Sequence, residues 1–101
     1  MPLPKTGEER VFGLRDIEAA VEWANAGGIA IHRSRNLDGE VIGGRRRFGP
    51  AFRVYGHEAT LRRWGRKHHL QPGWMQEAGR NRPPYFHVFG APAGHLDRAA
   101  L

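Results

Sequence analysis

The chain of 101 residues has no cysteine. That excludes disulfides and thiolate metal ligands, and it fits a reducing compartment. It holds one serine, Ser34, and two threonines, Thr6 and Thr60, which leaves a serine triad or a threonine nucleophile little to build on. No apolar run approaches the roughly 18 residues needed to span a bilayer. The opening stretch, MPLPKTGEER, has no hydrophobic segment of secretory-signal length. Acids are outnumbered, 10 against 16 Lys and Arg, and lysine is itself scarce at 2 against 14 arginines. These absences predict a soluble, cytoplasmic protein with no cofactor and no membrane partner.

Hydrophobic residues make up 40% of the chain, enough for a globular domain with one modest core. The net charge of +6 attracts polyanions and raises encounter rates with them. Guanidinium dominance suits bidentate phosphate contacts and stacking, although arginine, alanine and glycine richness also follows from a GC-rich genome.

The most informative stretch runs from His57 to Gln76, HEATLRRWGRKHHLQPGWMQ. At 100° per residue, His57, Leu61, Trp64, Gly65 and His68 share one side of a helix, and Arg62, Arg63, Arg66 and Lys67 share the other. Leu70 falls on the cationic side, so the helix is expected to stop near His68 or His69, ahead of Pro72. Glu58 at the start and the basic residues at the end suit the helix dipole.

Upstream, residues 1–10 read as a flexible N-terminal arm. Leu14, Ile17, Val21 and Ala24 form an apolar stripe with Trp23 at its edge, which predicts a second helix ended by Gly27-Gly28. Ile29–Arg33, Phe52–Tyr55 and Tyr85–Phe89 alternate as strands. Asp38-Gly39 is a turn signal. Gly43-Gly44 with Arg45, Arg46 and Arg47 reads as a basic loop. Trp74 and Met75 are expected to fold back on the core, and Gly94–Leu101 to form a short tail helix. Residues 11–101 are therefore predicted to be a single α+β domain, about two helices packed on a short sheet of about three strands.

The segment LRRWGRKHHLQPGWMQ, Leu61–Gln76, resembles a motif of a bacterial and phage family numbered 4031 among the domains of unknown function. Leu61, Trp64, Leu70, Trp74 and Gln76 match it in order and spacing, over about a third of the chain counted to Val88. Arg62 replaces a helix histidine of that family and His69 a helix-ending glycine. Its strand histidine and aspartate are replaced by Tyr85 and His87. The resemblance supports the fold and gives little function; its phage link, with a compact, cysteine-free chain, motivates a second expectation, a phage-encoded inhibitor or adaptor that binds a host protein.

Six histidines (His32, His57, His68, His69, His87 and His95) match no metal-ligand spacing. On one helix His57 and His68 would lie about 16 Å apart, too far for one ion, so no metal site is expected. His87, Tyr85 and His32 form a possible polar site, in which His32 meets His87 only if their strands are neighbours; an enzyme reading centres on His87 as a general base, with Arg82, Tyr85 and Glu77 near it in sequence. The leading expectation is a basic module that engages nucleic acid or an acidic protein surface through Arg45, Arg46, Arg47, Arg62, Arg63, Arg66, Lys67, Arg80 and Arg82. Phe48, Trp74 and Tyr85 are candidates to stack on bases. The sequence does not specify an oligomeric state.

Overall fold

A computed structural model describes residues 3–34, 40–42, 45–47, 51–77, 79–80 and 82–89, giving the backbone alone at 34, 40–42, 45–47, 51 and 89. In chain order the elements are β1 (Glu9–Phe12), α1 (Ile17–Asn25), β2 (Ile29–Ser34), β3 (Glu40–Ile42), β4 (Arg45–Arg47), β5 (Ala51–Tyr55), α2 (Glu58–Lys67), a 3₁₀ turn (Pro72–Trp74) and β6 (Tyr85–Phe89). Four strands form a mixed sheet in the order β1-β2-β5-β6. β1 runs parallel to β2, and α1 makes the crossover that parallel pairing requires. The other neighbours in the sheet are antiparallel. β3 and β4 form a separate antiparallel ribbon. The result is the expected α+β domain, with two helices on a sheet one strand wider than predicted.

Alternation along the strands sends side chains to two faces, and each face takes one helix. On one side Ile29, Ile31, Phe52, Val54, Phe86 and Val88 are buried with Leu61, Trp64 and Leu70. On the other, Phe12, Ala30 and Tyr55 are buried with Ala20, Trp23 and Ala24. Among the described residues no helix is long and apolar enough to cross a membrane.

α2 follows its sequence pattern closely. Leu61, Trp64 and Gly65 are its buried residues, and each large apolar side chain so buried contributes roughly 1.5–3 kcal/mol. A Cβ at Gly65 would lie 2.9 Å from the Phe86 ring, so glycine lets the helix approach β6. The chain leaves α2 through His69, at φ 61°. Leu70 N–H donates to the Gly65 carbonyl (2.8 Å) and His69 N–H to that of Arg66 (3.2 Å). This pair of bonds is a Schellman ending with histidine in the left-handed position that glycine usually takes. Leu70, thrown off the helix, is buried.

The structure corrects several expectations. α1 begins at Ile17, and Leu14 lies before it with 40% of its surface exposed. The inward face of α1 is Ala20, Trp23 and Ala24 rather than the Leu14–Ile17–Val21–Ala24 stripe. Trp23 fixes that rotation: its ring is buried and its Nε1–H donates to the Glu8 carbonyl at 2.9 Å. Gly27, at φ 107°, ends the helix as predicted. Within the stretch expected as an arm, Glu9 and Arg10 pair with Ile29 and Ala30 in β1, and Gly7 N–H donates to the Gly27 carbonyl. Arg45, Arg46 and Arg47 are a strand, not a loop, opposite Ile42, Val41 and Glu40. His57 is exposed rather than part of the apolar face. It is the N-cap position of α2, and its Nε2 meets the Asn25 carbonyl at 3.1 Å. Asp38-Gly39, Phe48, His95 and the tail expected to be helical lie outside the described residues.

Candidate nucleic-acid interface

Because Leu61 and Trp64 face inward, the residues between them face solvent. Arg62, Arg63, Arg66 and Lys67 are all exposed. Arg62 pairs with Glu58 one turn earlier, Nη2 to Oε1 at 2.7 Å, and both side chains are more than half exposed. Such a pair contributes little to stability. Arg63, Arg66 and Lys67 make no ion pair among the described residues, so three cations of one helix remain directed at water.

Two of them border a concavity. Thr6, Gly7, Glu9, Ile29, Thr60, Arg63, Trp64 and Lys67 line an open groove of about 450 Å³ between the N-terminal segment and α2. Thr60, Arg63 and Lys67 follow at i, i+3 and i+7, the spacing that keeps residues on one side of a helix. Gly7 N–H donates to the Gly27 carbonyl at 2.8 Å, which fastens the opposite wall to the end of α1. Glu9 is the one acid on the groove wall among the described residues. Its carboxylate accepts from Trp64 Nε1–H and stands 3.8 Å from His68 Nε2. His68 lies across the Trp64 ring with centroids 4.3 Å apart.

The remaining cations lie elsewhere. Arg45, Arg46 and Arg47 belong to the β3–β4 ribbon. Arg80 and Arg82 are exposed in the loop before β6, where Arg82 N–H donates to the Gly79 carbonyl at 3.1 Å. Of the tryptophans, Trp23 and Trp64 are buried at 8% and 5%, whereas Trp74 is 53% exposed. The expectation that Trp74 returns to the core therefore fails, although Met75 does pack there.

The polar residues predicted around His87 lie on the α1 side of the sheet. β5 separates β2 from β6, so His32 and His87 are not on neighbouring strands. Both pair in register with Arg53, which stands between them. The Tyr85 ring is 5.5 Å from His87 and 5.3 Å from Tyr55, with the Arg53 guanidinium 5.7 Å from it. His32 is buried, and its Nε2 meets the Leu14 carbonyl at 3.1 Å. Burial lowers its pKa below the usual histidine value, with Arg53 acting in the same direction. The Leu14 hydrogen bond and Asp16 oppose the shift. His32 Nδ1 and the Tyr55 hydroxyl are buried without a hydrogen-bond partner among the described residues. Arg53 was missed in the sequence, though its alternation with Tyr55 is the signal that puts both on one face. Thr6, Gly7 and Glu9 of the groove were missed because tertiary folding alone brings them to α2. No group of three or more metal-binding side chains occurs among the described residues.

No family model, curated protein or solved structure matches this chain.

Proposed function

We propose that this protein is a small nucleic-acid-binding module in which the outer side of α2 engages the phosphate backbone. The observation that carries the reading is the set Arg63, Arg66 and Lys67: exposed, without acid partners among the described residues, and anchored from behind by Leu61 and Trp64. Two further features support it. The groove beside Arg63 and Lys67 gives a phosphate a concave seat, and the net charge of +6 favours encounter with a polyanion. The Glu9 carboxylate works against an anion there, but Trp64 and His68 draw it toward the core.

The test is fluorescence anisotropy with labelled oligonucleotides, run beside labelled polyglutamate. Removing both groove cations, Arg63→Ala with Lys67→Ala, weakens oligonucleotide binding roughly 25-fold at 0.1 M salt, since each lost phosphate contact forfeits about 0.7 log units there. Glu9→Gln keeps an acceptor for the Trp64 indole, removes the opposing charge and strengthens binding. Polyglutamate binding as tight as oligonucleotide binding would assign the face to acidic proteins instead. Oligonucleotide affinity indifferent to all three substitutions would remove the reading.

A further inference from the structure

We infer that the nucleic acid is single-stranded, and that Trp74 is the platform on which one of its bases stacks. This rests on the proposed function and narrows it. Trp74 is 53% exposed, and no ring or cation among the described residues covers it. Its segment is fastened on both sides. Leu70 is buried and tied to Gly65. Trp74 N–H donates to the Gln71 carbonyl at 3.0 Å, and Met75 N–H to that of Pro72 at 3.2 Å. Met75 packs on the core, and Gln76 bridges to Tyr85 through two backbone hydrogen bonds of 2.8 and 3.3 Å. The clamped turn has already lost the backbone freedom that binding would otherwise remove.

The platform follows the charged helix. The 3₁₀ turn packs against α2, whose last residues are Arg66 and Lys67. Cations that hold a backbone next to an aromatic that takes a base are the two parts of a single-strand site. A base reaches the indole only when it is out of a duplex stack, and an acidic peptide offers no base at all. The charge complementarity and the exposed ring together select a single strand over either.

The experiment compares binding of a fluorescein-labelled oligothymidine, an abasic strand of equal length and charge, and a hairpin duplex. Trp74→Ala is expected to weaken oligothymidine binding about 5- to 150-fold, the range of one lost base stack. Trp74→Phe keeps most of the affinity, and the abasic strand binds wild type and Trp74→Ala alike. Oligothymidine quenches tryptophan emission in the wild type but far less in Trp74→Phe. Circular dichroism shows whether Trp74→Ala keeps the fold, and Trp74→Phe carries the quenching test by itself. Should Trp74→Ala bind oligothymidine as the wild type does while Arg63→Ala with Lys67→Ala loses it, the stacking inference falls and the phosphate reading stands. Should wild type bind no oligonucleotide, both fall.

Discussion

Leu61, Trp64 and Leu70 close the α2 side of the sheet against six apolar strand residues, whereas the α1 side buries an imidazole and a phenol among its apolar groups. The helices differ in the same sense. α2 presses Leu61 and a tryptophan inward and lets a glycine through to Phe86, while α1 contributes two alanines and Trp23. The first side holds its helix by packing, which leaves Arg63, Arg66 and Lys67 directed outward. The second leaves polar atoms inside that no neighbour among the described residues satisfies. The packed helix and the proposed binding face therefore lie on the α2 side, and the buried imidazole of His32, with its lowered pKa, on the α1 side.

The largest test of this contrast is truncation of each helix. Leu61→Ala should cost about 2–5 kcal/mol, the range for a buried leucine that leaves a cavity. Ile17→Ala, half-buried on α1, should cost about 1 kcal/mol. Urea unfolding of the two variants measures the difference, and equal losses would erase it. Next in size, Tyr55→Phe should raise stability by about 1 kcal/mol, because it deletes a buried hydroxyl that lacks a partner. Destabilisation of that order would mean that the hydroxyl is bonded. On the opposite side His69→Gly should add somewhat under 1 kcal/mol, relieving a left-handed residue at the end of α2. A thermal midpoint that does not rise would count against strain there.

The smallest effect is in pH. The folded pKa of His32 is lowered from 6.5. Above that value both states hold the ring neutral, and its contribution is fully present. As pH falls through 6.5 toward the lower folded value, the unfolded chain takes up the proton first and the contribution is lost. Urea midpoints at roughly pH 7.5 and pH 5 should therefore differ more for wild type than for His32→Gln. Identical pH dependence in the two would place the sensitivity elsewhere.

How legible each region was follows from where its determinants lie. α2 was readable because its apolar spacing, its charges and its stop signal are all local, and they agree. Its stop near His69 was readable as well; the left-handed conformation of that histidine was not, since Leu70 and the buried face enforce it. α1 was found, but its inward side was misplaced: the stripe weighted Leu14 and Val21, while the indole of Trp23 reaches the Glu8 carbonyl and sets the rotation. β1 is four residues long and depends on β2, so its own pattern said little. The cation cluster of α2 was legible residue by residue. The groove was not, because Thr6, Gly7 and Glu9 reach it only through parallel pairing. The row of His32, Arg53 and His87 needed the strand order, which no local pattern carries.

The most direct measurement of the central claim is the salt dependence of oligonucleotide affinity. If Arg63, Arg66 and Lys67 each meet a phosphate, replacing all three by alanine should flatten the slope of log affinity against log salt by about 2, at about 0.7 per single-strand contact. A slope unchanged from wild type would show that the outer side of α2 does not meet the nucleic acid.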